Sequence, residues 1–571
     1  MGSGTLTDTG TNCKGLRISF WGVAIALGAA YAWATRYTIN PDGISYLDMG
    51  DAYWRGDWHM AINAYWSPLY SWILGFILKV LKPSPYWEYP LVHFANLLIY
   101  VAALACFEFF LGAFIRYRRE SGNGPVEADE VALPEWAWWA LGYSLFIWTS
   151  LVLITIRLAT PDMCVAGFVY LATGLILQIR SRAAHWRTFV LLGVVLGFAY
   201  LAKAVMFPLA FIFLAVAMLS LGNLRKAAPR VAISALIFLA IAAPFLVAIS
   251  RAKGRLTFGD SGRVTYEVLV NGVDAWFPSS TLLIHPPRKI FEMPATFEFE
   301  KPIGGTYPPW YDPSYWHEGI DPHFDVIGEA GPTTSALIIY GWILFSLSMQ
   351  LNVTIGLLMI YFLAPRPWLC LKHAASNWPL IIPALSVFGL YYPINTESRF
   401  IGEFVLLLWL AAFSGARLPA SRESRRMIAR VITAVAATSI ISVAWYTFHN
   451  LTDARNAEPL YWQAASSLAE KGIKPTDKLA LVWDEEWGKA AVGGALVARL
   501  AGVQIIAEVP RQDGFWSATP FVRSQVIQAL GKTAAKAILT IGEPPHSAPD
   551  MHWERLGTTD YYLCRLQNGG S

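Results

Sequence analysis

A polytopic, all-helical membrane protein is the fold class this sequence predicts, and three observations predict it. Apolar residues make up 55% of the 571 positions and charged residues only 15%, against roughly 25% charged in an ordinary soluble domain. The mean hydropathy is +0.41. Runs of apolar residues recur at lengths suited to a bilayer, and Lys and Arg gather in the short segments between them. The 25 Trp and 25 Tyr exceed what a core requires, and such amphipathic rings favour the membrane–water interface.

Runs of about 17 to 25 residues read as spans. They place helices near residues 18–36, 89–114, 134–155, 162–179, 187–202, 205–221, 231–250, 335–364, 378–393, 400–416 and 428–447. The expectation is therefore about eleven spans. The 335–364 stretch suits a tilted helix or an interfacial piece plus a span, and 67–82 reads as interfacial. Orientation follows from the positive-inside rule. Arg116 to Arg119, Arg180 to Arg187, Arg225 to Arg230 and Arg417 to Arg430 mark one side as cytoplasmic. The first outer loop (37–88), the turn at 155–161, the long loop at 251–334, the turn at 394–399 and the C-terminal segment then face outward. The first apolar run lacks a small-residue cleavage site and reads as an uncleaved anchor. These features predict a multi-pass protein of a bacterial inner or plasma membrane, with its chemistry on the periplasmic or extracellular face.

Two parts stand outside the spans. Residues 449–571 alternate helices (461–472, 490–501, 521–531) with short apolar strands (478–483, 503–507, 537–540), which predicts a small, partly parallel α/β domain beyond a membrane domain of residues 1–448. No glycine-rich phosphate loop follows any strand, so nucleotide binding has no motif behind it, and a fold alone licenses no function. The 251–334 loop is too long for a simple connector. Its aromatic residues, among them Trp276, Phe277, Trp310, Tyr311, Tyr315 and Trp316, argue for an ordered lid. His285 in this loop joins the substrate-binding candidates. The five cysteines suggest neither a disulfide framework nor a metal site. The basic clusters are explained by membrane topology, which removes the case for nucleic-acid binding.

Three polar groups sit at the outward ends of spans, where ionisable side chains are costly and usually functional. The first is Asp42, Tyr46, Asp48, Asp51, Asp57 and His59, followed by Trp66-Ser67-Pro68-Leu69-Tyr70. A cap role for Asp42 is the plain alternative, but a cap does not require the further acids. The second is Thr160-Pro161-Asp162, also readable as an ordinary helix start with Pro in the first turn and an acid on the helix dipole. The third is Lys203 with Glu397 and Arg399. Here the plain alternatives are a snorkelling lysine and a local Glu–Arg pair.

In their order and common face, Asp42 with Tyr46, the Trp66–Tyr70 run, Thr160–Asp162, Tyr200-Leu201-Ala202-Lys203 and Glu397-Ser398-Arg399-Phe400 resemble the GT-C superfamily. These integral-membrane glycosyltransferases, such as the protein O-mannosyltransferases and the aminoarabinose transferases, use a polyprenyl-phosphate-linked sugar. The resemblance covers the chain to about residue 448. It implies a GT-C-like helical bundle in which Asp42 is the catalytic base and Asp162 a second acid at the reaction centre. Lys203 and Arg399 match positions suited to a lipid phosphate, and Tyr46, Asp48, Asp51, Trp66, Tyr70 and Glu397 are expected along the substrate. Many members carry a second acid directly after the base. Gly43 stands there instead, which leaves Asp48 or Asp51 as the candidate source of that charge.

The expected activity is inverting transfer of a hexosyl or pentosyl group to a lipid, glycan or protein acceptor. No cofactor is required, although the outward acids offer ligands to a divalent metal. A transporter or flippase of lipid-linked sugars predicts internal repeats and mid-membrane charges, and neither is visible. A non-catalytic scaffold leaves the coincidence of three polar groups unexplained.

Overall fold

The computed structural model describes residues 10–120, 130–181, 185–274, 282–299, 304–345, 349–456, 459–483, 489–544 and 551–566. The apolar runs are helical, as they must be where no water can satisfy backbone N–H and C=O groups. Six described helices are long and apolar enough to cross a membrane: Cys13–Ala34, Pro85–Glu120, Glu135–Ile154, Asp162–Arg180, Leu224–Ala252 and Arg422–Thr452. Helices Pro367–Ala375 and Trp378–Tyr391, bent by 78° at their junction, make a seventh if taken as one broken span.

The expected count of about eleven is thus not matched by length and composition among the described residues, and the reason is local. Trp186–Ala202, Met206–Ser220 and Ser398–Phe413 have 17, 15 and 16 residues, whereas a full crossing takes about 20. The 335–364 run forms Ala330–Phe345 and Met349–Phe362. The 67–82 run forms the apolar helix Pro68–Leu81.

The centre of the bundle is aromatic. Phe107 stacks on Phe146 with ring centroids 4.9 Å apart and meets Tyr170 edge-on at 5.3 Å, a favourable arrangement for ring quadrupoles. Basic residues collect at one end. Arg118 lies over Trp138 at 4.7 Å and Arg180 over Trp378 at 4.9 Å, while Arg17 pairs with Glu108. The 36-residue helix Pro85–Glu120 runs from that basic end to the opposite one, where short helices and a sheet gather. There Pro41–Arg55 packs on Pro68–Leu81 through facing glycines. A Cβ on Gly50 would lie 2.8 Å from the Ser71 carbonyl oxygen, and one on Gly75 2.8 Å from that of Gly50.

Among the described residues the larger sheet has seven strands: β1 (Arg288–Phe291), β2 (Thr296–Glu298), β3 (Lys478–Val482), β4 (Gln504–Val509), β5 (Ala537–Ile541), β6 (Trp553–Arg555) and β7 (Tyr561–Arg565). Their order is β1-β2-β4-β3-β5-β7-β6. Strand β3 runs parallel to β4 and β5, and the remaining pairs are antiparallel. The three apolar strands expected from the sequence are β3, β4 and β5. The hairpin β1–β2 comes from the 251–334 segment and closes the edge of β4, with Phe297 opposite Glu508. The long loop and the C-terminal segment therefore share one sheet. Strands of three and four residues carry too little periodicity to be read in advance. Trp276 and Phe277 lie outside the described residues.

Within β4, the fully buried Glu508 accepts hydrogen bonds from Tyr307 Oη (2.9 Å) and Trp483 Nε1 (3.0 Å). These join the C-terminal sheet to the segment leading into Trp310 and Tyr311. Burial pushes the Glu508 carboxyl up to about 8. In the unfolded chain a Glu titrates near ~4.3, so the folded state holds the extra proton between those two values. The stability this group contributes is full below the unfolded pKa and is lost as pH rises toward 8. Glu508→Gln keeps an acceptor for both donors and cannot ionise. Its melting temperature in detergent is expected to match the parent near pH 4.5 and to exceed it at pH 8 and above.

Candidate active site at one end of the bundle

The site is assembled where helix Pro41–Arg55 meets the turn at 156–161. Asn40 precedes that helix, Pro41 occupies its first position and Asp42 its first turn, where the dipole favours negative charge. The Asn40 side chain does not cap its own helix. Its Oδ1 accepts from the Ala159 backbone N–H at 2.7 Å. A Cβ on Gly43 would lie 2.7 Å from Ala159 Cβ and 3.1 Å from Ile39 Cδ1, so the close approach needs glycine. The site has no room for a second acid directly after Asp42.

The turn itself is held under strain. The preceding helix winds into a π-helical turn at Thr149–Ile154, and Thr155 follows with φ of 62°, an unusual conformation for a β-branched residue that persists only where its surroundings enforce it. Thr155 Oγ1 hydrogen-bonds Tyr31 Oη at 3.0 Å. Asn96 Nδ2 donates to the carbonyls of Ile156 (3.1 Å) and Leu158 (3.0 Å), and its Oδ1 accepts from Tyr70 Oη at 2.7 Å. Pro161 then ends the turn and Asp162 begins the next helix.

Five charges from four separate segments converge here. Lys203, at the C-terminal end of Trp186–Ala202, places Nζ 2.6 Å from Asp162 Oδ1 and 3.7 Å from the centre of the Phe400 ring. Arg399 Nη1 lies 3.3 Å from Asp42 Oδ2 and 3.8 Å from Asp162 Oδ2, and its Nε is 2.6 Å from Glu397 Oε2. The Asp162 side chain is only 4% exposed, that of Asp42 14%. Burial pushes the Asp42 carboxyl above the usual carboxylate range against the pull of Arg399, and Glu397 and Asp162 push the same way as burial. Tyr46, one turn along from Asp42, is buried edge-on to Trp66 (5.2 Å) and Tyr70 (5.1 Å).

Other candidates lie elsewhere. At 100° per residue, Asp48 and Asp51 leave the helix roughly 120° and 180° away from Asp42, and both turn to Arg499 at 2.7 Å. They do not supply the charge missing at Gly43; the carboxylates that share Arg399 with Asp42 are those of Asp162 and Glu397. His285 stacks on Tyr315 with centroids 4.0 Å apart and has Nε2 3.5 Å from Glu318, within the 251–334 segment.

Two participants escaped sequence reading. Glu403, one turn beyond Arg399, is 1% exposed and lines the same small cavity as Asp162, Lys203 and Arg399, but a lone acid inside an apolar run gives no local signal of its neighbours. Arg499, in the last turn of helix Lys489–Ala501, carries no local signal of the three acids it meets. Among the described residues no three His, Cys, Asp or Glu side chains group closely enough to hold a metal ion. The nearest acids are instead arranged around Arg399, Lys203 and Arg499.

Comparison with solved structures gives this arrangement a context. ArnT of Cupriavidus metallidurans in its apo state aligns over 98% of this chain and 99% of its own, at 12% identity and a TM-score of 0.55. The same protein bound to undecaprenyl phosphate aligns over 97% and 99%, at 12% and 0.54. The chain has the GT-C fold. ArnT, an aminoarabinose transferase, is a GT-C member, and the likeness at this identity is one of fold. An oligosaccharyltransferase of Archaeoglobus fulgidus aligns over 92% of this chain and 68% of its own at 12% identity, with a TM-score of 0.49, too weak a likeness to bear on the fold. No protein-family profile matches the chain, and no curated protein matches it by sequence.

In this GT-C fold the close packing at Gly43 sets the position of Asp42. Gly43→Ala forces the first turn and Ala159 apart, with overpacking expected to cost about 1–3 kcal/mol. Gly43→Asp adds a second carboxylate to a crowded, already acidic site and is expected to be worse. A thermal-shift series over the three side chains should rank Gly above Ala above Asp.

Proposed function

We propose that the chain is an inverting glycosyltransferase that moves a sugar from a polyprenyl-phosphate carrier to a hydroxyl acceptor at the non-cytoplasmic face of the membrane. The observation that carries this reading is the Asp42–Arg399–Asp162–Lys203 constellation at the sheet-bearing end of a GT-C fold, opposite the basic end. The positive-inside rule assigns that basic end to the cytoplasm. The undecaprenyl phosphate bound to ArnT makes a polyprenyl phosphate the natural carrier.

The chemistry follows from the residues. An acceptor hydroxyl is too weak an acid to ionise near neutral pH, so a carboxylate within hydrogen-bond reach must take its proton as the oxygen attacks the sugar C1. Asp42 holds that place. The bond from C1 to the phosphate oxygen breaks as the new one forms, and its electron pair leaves with the lipid phosphate. Lys203 and Arg399 stabilise the charge that develops there, Arg399 with a planar set of donors. Asp162 holds Lys203 and fixes its direction. One displacement inverts the anomeric centre. The residues leave the choice between hexosyl and pentosyl transfer, and between lipid, glycan and protein acceptors, to the surrounding surface.

Asp42→Asn preserves shape but cannot accept a proton. Turnover is expected to fall by roughly 10²–10⁴ while binding of the lipid-linked donor persists. Near-parental turnover in Asp42→Asn would remove Asp42 from the role of base. Asp42 must be ionised to act, and its pKa is raised, so kcat/KM should climb with pH along a limb lying above the ordinary Asp value. Arg399→Gln removes the cation that opposes burial and should move the limb of the residual activity further toward alkaline pH. A limb that stays in place on this change would detach it from Asp42.

Orientation is tested separately in intact cells with a membrane-impermeant maleimide. Cysteines placed at the exposed positions Phe521 and Asp321 should react without permeabilisation, and one at the exposed Arg426 only after it. The reverse pattern overturns the assignment of the site to the non-cytoplasmic face.

A further inference from the structure

A second, larger cavity lies outside the constellation described above. It has a volume of about 830 Å³ and runs between helix Pro41–Arg55, the start of Pro85–Glu120, the segment at 304–311 and helices Leu460–Glu470 and Lys489–Ala501. At its floor one guanidinium serves three carboxylates. Arg499 Nη1 donates to Asp48 Oδ1 and Asp51 Oδ2 and its Nε to Glu88 Oε1, each at 2.7 Å. Asp48 is fully engaged, since Thr306 donates to it through its backbone N–H (2.6 Å) and its hydroxyl (3.0 Å). Asp51 Oδ1 and Glu88 Oε2 receive no hydrogen bond among the described residues, and their side chains are 33% and 17% exposed. The lining also includes the half-buried ring of Trp462, braced edge-on by Tyr86 at 5.1 Å.

We infer that this cavity binds a saccharide of two or more rings, and that it is the acceptor's binding site. Its volume falls within the range of small-molecule sites, about 300–1,000 Å³. Free carboxylate oxygens are acceptors for sugar hydroxyls, and an aromatic face supplies contact for the C–H side of a ring. Four lining acids, Asp48, Asp51, Asp57 and Glu88, outnumber Arg55 and Arg499, so the cavity repels a lipid phosphate. Arg499 already occupies the point the carboxylates share, which leaves a neutral polyol as the fitting occupant instead of a cation. The acceptor assignment rests on Asp42 being the base. Asp48 and Asp42 share one helix six positions apart, about 9 Å along its axis and roughly 120° around it, so the occupant reaches Asp42 by passing round the side of this helix, which a saccharide of two or more rings is long enough to do.

Binding can be read without turnover, by saturation-transfer NMR on the purified full-length protein with maltotriose, cellotriose and mannotriose as probes. At least one is expected to receive saturation on its ring protons. Trp462→Ala should abolish it, Asp51→Asn should weaken the affinity tenfold or more, and Asp42→Asn should leave it unchanged. Ala469→Trp, an exchange at an exposed position lining the cavity, fills the space without touching the Arg499 cluster and should also abolish binding while the melting curve is kept. Saturation that survives both Trp462→Ala and Ala469→Trp overturns the proposal, as does a set in which no trisaccharide binds. So does Asp51-dependent stabilisation by calcium chloride alone. Saccharide binding that persists alongside an active Asp42→Asn variant would instead sink the base assignment, leaving the cavity a saccharide site without a role as acceptor site.

Discussion

One guanidinium decides the geometry of the candidate site. Asp42 and Asp162 come from segments that meet only in the folded bundle, and both carboxylates are largely withdrawn from water. Two such groups repel each other and lose hydration on burial, a combination that costs several kcal/mol unless a cation stands between them. Arg399 takes that position, 3.3 Å from one and 3.8 Å from the other. A lysine would act as a point charge there, whereas the guanidinium fork reaches Asp42, Asp162 and Glu397 together. Lys203 completes the balance from the far side of Asp162.

The same physics operates at the other end of helix Pro41–Arg55. Asp48 and Asp51 are fastened to Arg499 in the C-terminal segment, and Glu88 joins them from the start of a long helix. One short helix is thus held near its beginning by Arg399 and further along by Arg499. Its side is fixed by the glycine contacts at Gly43 and Gly50. The C-terminal sheet, completed by β1 and β2, is in this way coupled mechanically to the residue proposed as base. Helices Leu460–Glu470 and Lys489–Ala501 of the same segment line one side of the large polar cavity.

Several elements were legible from residue pattern alone. The helical membrane bundle follows from composition and run length, and β3, β4 and β5 from their apolar strands between helices. Asp42, Asp162, Lys203 and Arg399 were visible as polar residues at the ends of apolar runs, where burial of charge is costly enough to need a cause. Runs 187–202 and 205–221 match helices Trp186–Ala202 and Met206–Ser220, whose 17 and 15 residues leave the expected count of about eleven crossings unconfirmed.

By itself, the sequence determined the solvent this protein folds in, the apolar stretches that become helices and the short list of charged residues whose burial needs a cause. These depend on neighbours within a few turns. Tertiary structure alone decided that Asp162 and not Asp48 stands beside Asp42, that Gly43 is a packing contact, that Glu403 belongs to the same small cavity, and that Arg499 gathers three acids. The contacts responsible join residues 357 and 451 positions apart, as in Arg399 with Asp42 and Arg499 with Asp48. Local periodicity carries no record of such pairings, because the partner of a buried charge is chosen by where distant helix ends meet.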